Sequence, residues 1–496
     1  MRILHIDIDS LRPDHLGCYG YHRQTSPNID RIASQGVRFE NCHTTDAPCL
    51  PSRTALMAGR AGIHTGVIDH GGIAAQPFNE GPNRDFSDMF ANTSWMSCMR
   101  QAGFHTVAIS PFAERHGAWH WYAGFNEIHN GGMGVGETAE KWTPIALDWL
   151  ENNGHKDNWC LYFNLWDPHT PYRTPDDDQN PFANDPLPEW YTEEIRQAHW
   201  QGIGPHSARE VNGYDIDKAW EERFPKQPGQ IRDMQEARMM FDGYDHAVHY
   251  ADKHIGKIMQ LLKKLGIQDE TIISISADHG ENLGELNVYG DHQLADQITT
   301  RIPMIIRWPG VTDNQQGQVR RGYIHHFDYA ATLIDAFSPG NIPDIWHGQS
   351  FYSNLKSSQD INIRDNLIVS QGAWSCQRAV RFNHNEEEYI MLRSYHDGYH
   401  NLPDYMLFNL TQDPHEQHDL ADKQPQLVNL ATNLLDKWVG SMMHTSPSGQ
   451  DPMWTVMHTG GAHHTRGELT NYLDRLRQTD RQHIAKTLEN KYPYDP

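Results

Sequence analysis

Cys49 is followed by Leu50, Pro51, Ser52 and Arg53, and then by Leu56, Gly59 and Arg60. Pro51 can start a helix, which places residue 49 just before a helix N-terminus. Free N–H groups and the helix dipole there favour an anion. Arg53 follows one turn later, where its guanidinium can hold an oxyanion. Far along the chain, Asp278-His279-Gly280-Glu281 pairs a carboxylate with an imidazole, a donor set suited to a divalent cation. Asp9 closes an apolar run near the start, with Asp7 on the same strand face. His169 lies within Asp167-Pro168-His169-Thr170-Pro171-Tyr172, and His292 follows His279 by 13 residues. His70 follows Cys49 by 21 residues, and His64 is a weaker candidate beside it. These residue types suit an anion held beside a cation, with imidazoles able to move a proton.

The C-x-P-S-R run, with its leucine and Gly59-Arg60, resembles the signature of the formylglycine-dependent (type I) sulfatases. That family belongs to the alkaline-phosphatase superfamily. The resemblance implies that a separate maturing enzyme, formylglycine-generating or anaerobic, oxidises Cys49. The product would be hydrated, attack sulfur in line with the leaving alcohol, and release sulfate through its second hydroxyl. It implies a metal held by Asp9, residue 49, Asp278 and His279, with Ca²⁺ first and Mg²⁺ or Mn²⁺ as alternatives. It makes Cys49, Arg53, His169 and His292 catalytic, and sets His70, Arg115 and His116 against substrate. Asp7 is either a buried hydrogen-bonded acid or a metal residue.

Two departures stand out. Family members often carry two adjacent Asp residues where this chain has Asp9-Ser10; the phosphonate monoester hydrolases also keep only one Asp at this place. A usual Lys is absent from the stretch Ser110 to His116, so either Arg115, His116 or His120 fills its place or the pocket binds its sulfate differently. Residues 407–417 (LFNLTQDPHEQ) resemble a C-terminal fold marker of the family.

The elements that would position these groups alternate. Strand-like runs at 2–9, 37–42, 106–109, 159–165, 271–276 and 303–308 are separated by helical segments at 27–35, 94–102, 137–152 and 236–265. This predicts an α/β fold with a large, mainly parallel sheet flanked by helices, alkaline-phosphatase-like, and a smaller C-terminal α+β domain. We read residues 1–370 as the catalytic domain, with 174–235 as an insertion over the substrate. Residues 371–445 form the α+β subdomain, and 446–496 an extension with one helix at 466–490. Trp190, Tyr191, Trp200 and Trp220 of the insertion, with Trp119, Trp121 and Tyr122, either face a sugar or pack a small core of their own.

Composition sets the outer bounds. Apolar residues make up 38% and charged residues 21%, enough for a sizeable core. A net charge of −23, from 41 basic and 64 acidic residues, argues against nucleic acid and anionic membrane as partners. An anionic substrate then needs a local cluster of metal, Arg and His. The six cysteines are scattered and read as free thiols. No apolar run is long enough to span a membrane. A strand begins directly after Met1, which suits a cytoplasmic protein, or an exported one whose leader lies outside this numbering. An oligomer is compatible with all of this. The expected activity is hydrolysis of a sulfate ester on a sugar or oligosaccharide. The alternatives are a phosphonate monoester or phosphodiester hydrolase with the same nucleophile, and an inactive carbohydrate-binding relative.

Overall fold

The structure is a computed structural model that describes residues 1–80, 89–131, 137–175, 178–214, 219–360, 362–493 and 495. Its centre is the strand Arg2–Ile8, buried along its whole length. Thr271–Ser276 and Trp159–Leu165 pair with it in parallel on either side. Outward from Trp159–Leu165 lie His105–Ile109 and Glu127–His129, also parallel. Outward from Thr271–Ser276 lies Arg301–Arg307, which runs antiparallel to both its neighbours, and then Val37–His43. Short strands Gln318–Arg320 and Ile324–His325 complete that edge. The sheet is therefore large and mainly parallel, as its apolar runs predict.

Two helix groups flank it. Pro27–Ser34, Ala139–Asn153 and Met234–Lys264 form one, and Cys49–Ala58, Trp95–Gln101 and Asp328–Phe337 the other. Local sequence explains their ends. Pro27 occupies the first turn of its helix. Asp233 caps the longest helix by accepting from the N–H groups of Gln235 and Glu236, and Lys263 and Lys264 sit at its carbonyl end. Gly59 ends the helix begun by Cys49 at φ +64°, and an added Cβ there would meet the Trp346 indole at 2.2 Å.

A second sheet carries the C-terminal part. Tyr405–Asn409, Glu387–His396, Cys376–His384 and Asn366–Gln371 are antiparallel neighbours. Asp46–Ala47, just before the Cys49 helix, pairs in parallel with Asn366–Gln371. The smaller sheet thus grips the segment that delivers residue 49. The helix Pro425–Thr445 covers one face of it through Leu427, Ala431 and Leu435.

Two expectations need correction. The extension holds Pro452–His458, and in place of the single helix at 466–490 it has two, Leu469–Gln478 and Gln482–Lys491, separated at Asp480 with φ 60°. The insertion contains the helices Glu193–Gln201 and Trp220–Arg223, although no periodicity announced them. Its aromatic residues pack inward. Trp190 stacks on His415 at 4.5 Å, Tyr191 meets the Tyr289 hydroxyl at 2.7 Å, and Trp220 packs on Phe224 at 4.8 Å. Arg209 covers Trp200. Of the loop aromatics, Trp121 is buried and Trp119 is 63% exposed. The six cysteines are all unpaired.

Candidate active site

The sheet brings the predicted groups to the C-terminal ends of its central strands, where α/β folds place their ligands. Asp9 follows the central strand and donates its N–H to the Leu165 carbonyl at 2.9 Å. Asp278 and His279 follow the neighbouring strand Thr271–Ser276. Cys49 is the first residue of its helix rather than the residue before it, with Pro48 as cap. Pro51 therefore stands at the third helical position, where it has no N–H to leave unsatisfied.

Ser52 fastens this helix to the metal-motif strand. Its hydroxyl donates to the Asp278 carbonyl at 2.7 Å. Gly280 makes the turn that follows, where an added Cβ would lie 2.0 Å from the Ile298 carbonyl oxygen. The result is close: Cys49 Sγ lies 3.1 Å from His279 Nε2. His279 Nε2 also lies 3.3 Å from Asp278 Oδ2 and 3.8 Å from Asp9 Oδ1. The four donor atoms of Asp9, Cys49, Asp278 and His279 fall within 4.8 Å of one another, and all four residues are buried. His279 Nδ1 is engaged by the Gly280 carbonyl at 2.8 Å, which leaves Nε2 toward the cluster.

Arg53 organises the carboxylates. Its Nη1 donates to Asp9 at 3.0 Å and to Asp278 at 2.5 Å. Its Nε and Nη2 grip both oxygens of Asp7, at 3.0 and 3.2 Å. Asp7 also accepts from the Tyr162 hydroxyl. Asp7 is absent from the four-residue donor cluster, so the structure places it as the buried anchor of Arg53. Ser10, at φ 60°, stands where a second Asp was expected. Its N–H donates to Asp278 at 3.2 Å and its hydroxyl to Asp9 at 3.3 Å.

Arg115, from the stretch that lacks the usual Lys, reaches the cluster. Its Nη2 donates to Asp9 at 3.1 Å, and its guanidinium lies 3.3 Å from the Trp166 ring centroid. Arg115 Nη1 is buried with no protein partner. The His169 ring stacks on the same indole at 3.8 Å. His292 lies 4.0 Å from the His279 ring and 5.2 Å from the His169 ring. His116 contacts Arg115 Nε at 3.2 Å, and its ring lies 5.0 Å from that of His70. His64 and His120 stay outside: His64 binds His347 and the Met442 carbonyl, and His120 binds Thr54.

Burial and charge set the protonation states. Burial, then Asp9 and Asp278, push the Cys49 thiol up to about 12, so an unmodified thiol here is protonated and a poor nucleophile. Burial pushes His169 well below the usual imidazole range. Burial opposes charge on His292 too, but Asp291, Cys49 and Glu281 hold it well above that range. Glu281 Oε2 lies 3.2 Å from His292 Nδ1. The two histidines are therefore shifted in opposite directions.

The profile of the sulfatase family matches residues 2–339 of this chain. The chain belongs to the sulfatase family. A second profile, the C-terminal part of N-sulphoglucosamine sulphohydrolase, matches residues 284–441. The chain is similar to an N-acetylglucosamine-6-O-sulfatase of Bacteroides thetaiotaomicron, with 21% identity over 84% of this chain and 82% of that one. It shares its fold with a protein solved in complex with its substrate D-glucosamine-2-N,6-O-disulfate, at TM-score 0.69 and 19% identity over 91% of this chain and 99% of the other. A phosphonate monoester hydrolase from Silicibacter pomeroyi matches at TM-score 0.64 and 19% identity, over 92% and 97% of the two chains.

Sulfatases are sulfuric ester hydrolases, and the family implies a formylglycine and a divalent metal. The donor set here fits such a metal. Three buried carboxyl groups, Asp7, Asp9 and Asp278, crowd around two guanidiniums, Arg53 and Arg115, a surplus of acidic groups that a dication would relieve. Burial and the neighbouring Asp9 raise Asp278 to about 6 even with Arg53 beside it, a deficit of positive charge where the ligands converge. Sequence reasoning missed Ser52, Trp166, Glu281 and Asp291 as supports of the sulfatase site. Ser52 and Glu281 sit inside quoted motifs and Asp291 directly precedes His292, but only the fold shows what they touch.

Proposed function

We propose that this chain hydrolyses a sulfate ester on a sugar, with formylglycine formed from Cys49 as nucleophile and calcium, magnesium or manganese as the metal. The observation that carries the reading is the convergence of residue 49, Asp9, Asp278 and His279 within 4.8 Å, with Arg53 bridging the two carboxylates. Asp9, Asp278, His279 and residue 49 would hold the cation, which supplies Lewis-acid stabilisation of charge on the sulfuryl oxygens. Hydrated formylglycine supplies one hydroxyl to attack sulfur and a second to release sulfate, which a thiol cannot do.

The chain's own residues supply the rest. Arg115 offers its unpartnered Nη1 to a sulfuryl oxygen, while Asp9 and Trp166 hold the guanidinium in place. Arg53 keeps the carboxylates oriented and the N-terminus of its helix fixed. His292, held between Glu281 and Asp291, protonates the departing alkoxide oxygen. His169 stays neutral on Trp166 and orients the leaving group. The relatives named for sugar sulfates support the substrate class. A formylglycine-generating or anaerobic maturing enzyme is the partner this nucleophile requires.

Phosphonate or phosphodiester cleavage is the second reading, favoured by Ser10 in place of a second Asp at the metal. A panel of sugar sulfates, phosphonate monoesters and phosphodiesters separates the two. Sulfate release from a sugar at the highest kcat/KM supports the first reading, and a preference for a phosphorus ester refutes it.

A further inference from the structure

The side chains beside the nucleophile form a circuit that leaves His292 through His169, Trp166, Arg115 and His116. The circuit continues past the residues matched by either family profile. His116 adjoins His70, and His70 Nδ1 lies 2.9 Å from His464 Nε2. His464 stacks on Trp374 at 4.5 Å with an interplanar angle of 21°. Trp374 meets the His206 ring edge-on at 5.2 Å. His206 Nε2 lies 3.0 Å from Asp291 Oδ2, and Asp291 is the residue before His292. The circuit closes only because the C-terminal extension supplies His464 and the insertion supplies His206.

Both contributions are firmly held. His464 donates its N–H to the Ala373 carbonyl at 3.0 Å, and His463 donates to Asp69 at 3.2 Å. Met453, Val456 and Ala462 of the extension pack on Ile68, Ala74 and Cys376. The two terminal helices clamp the loop that carries His206: Gly204 donates to the Tyr472 hydroxyl at 2.7 Å, and Arg481 pairs with buried Glu210. This is more anchoring than a solvent tail needs. Among the described residues, the buried polar atoms here with no hydrogen-bond partner include His70 Nε2, His206 Nδ1 and the side-chain nitrogen of Gln293 next to His292.

We infer that the extension completes the subsite for the sugar ring that carries the sulfate, with His464 stacked on Trp374 as its aromatic wall and His70 and Gln293 as hydroxyl partners. The inference rests on the sulfatase reading above. Sugar subsites combine an aromatic surface with a few fixed polar groups, and this wall has both. Its chemistry also defines the ring. The wall is made of imidazoles, an indole and an amide; the Asp291 carboxylate lies against His206 at one end, and the Arg115 guanidinium lies against His116 at the other, where the sulfate sits. Burial keeps His70 and His464 neutral. Such a wall accepts a ring bearing hydroxyl or acetamido groups and repels one with a second anionic substituent.

The test uses the full-length matured enzyme with three probes: N-acetylhexosamine monosulfates, D-glucosamine-2-N,6-O-disulfate and 4-nitrophenyl sulfate. For His464→Ala, the ratio of kcat/KM on the best monosulfated sugar to that on the aryl sulfate should fall about tenfold, mostly through KM, from loss of one hydrogen bond and one stacking contact. His464→Gln, which keeps a donor, should recover part of that ratio. If His464→Ala does not fold, His464→Gln and Trp374→Leu carry the same measurement. An equal fall on sugar and aryl sulfate, or no change in the ratio, overturns the subsite. A wild-type preference for the disulfate overturns the uncharged-ring assignment. Turnover of the aryl sulfate without any monosulfated sugar also overturns the subsite, while turnover of no sulfate ester overturns the sulfatase reading beneath it.

Discussion

Asp7→Asn separates two roles for a carboxylate that sits beside a metal cluster without joining it. Asp7 holds Arg53 through Nε and Nη2 at 3.0 and 3.2 Å, while Arg53 Nη1 reaches Asp9 and Asp278. Asparagine keeps one acceptor oxygen but turns an N–H toward the other guanidinium nitrogen. One hydrogen bond between charged groups is lost, worth about 1.5–3 kcal/mol. If that energy goes into orienting Arg53 and the carboxylates, the rate or the metal affinity falls roughly 10- to 150-fold. The assay is a titration of activity against free Ca²⁺ in wild type and variant, with thermal unfolding followed in parallel. A loss in this range, with a saturable metal response retained, fits an anchor. Unchanged metal affinity and rate would refute the anchoring argument. Complete loss of the metal response would make Asp7 itself a ligand.

Arg115→Lys should lower kcat/KM for a sulfate ester by about 10- to 100-fold, because an ammonium cannot keep Asp9, Trp166 and a sulfuryl oxygen together; steady-state kinetics measure it, and an equal or better Lys enzyme argues against the contact. Exhaustive chelation should abolish turnover and lower the unfolding temperature, and readdition of Ca²⁺, Mg²⁺ or Mn²⁺ should restore both; turnover that survives chelation contradicts the metal site. His5 tests pH-dependent stability at a buried position. Burial, with His326 and Arg53 nearby, lowers its imidazole to about 3. The unfolded chain therefore binds a proton there below about 6.5 that the fold refuses. Stability is full above that value and is lost as pH falls toward the folded value, by up to about 1.4 kcal/mol per pH unit. His5→Phe, packed on Tyr329 as the imidazole is, should flatten the acid side of a denaturation-versus-pH curve by about that slope; an unaltered slope shows that His5 is not buried neutral.

The parts of this molecule legible in the sequence are those encoded by neighbours along the chain. Apolar runs gave the central strands, Ser26-Pro27 marked a helix start, Pro51 put residue 49 at a helix N-terminus, and the resemblance of the C-x-P-S-R run implied that this residue is the nucleophile. Asp278 and His279 were legible because a strand precedes them. What stayed hidden depends on separation. Nothing in Asp7 says that Arg53, 46 residues on, will grip both its oxygens. His70 and His464 stand 394 residues apart, so their contact is a property of the fold alone. The insertion's helices lacked periodicity because its aromatic residues pack against several elements at once, His415 and Tyr289 among them. The two terminal helices read as one because Asp480 breaks them without a Gly or Pro to mark the turn.

The central claim is that residue 49 works as formylglycine in sulfate ester hydrolysis. The most direct test expresses the protein with graded amounts of a maturing enzyme and measures, on the same samples, the fraction of residue 49 oxidised by peptide mass and the rate of sulfate release. The rate should be proportional to that fraction and extrapolate to zero for the thiol form. Full turnover by protein whose Cys49 is entirely unoxidised would contradict it.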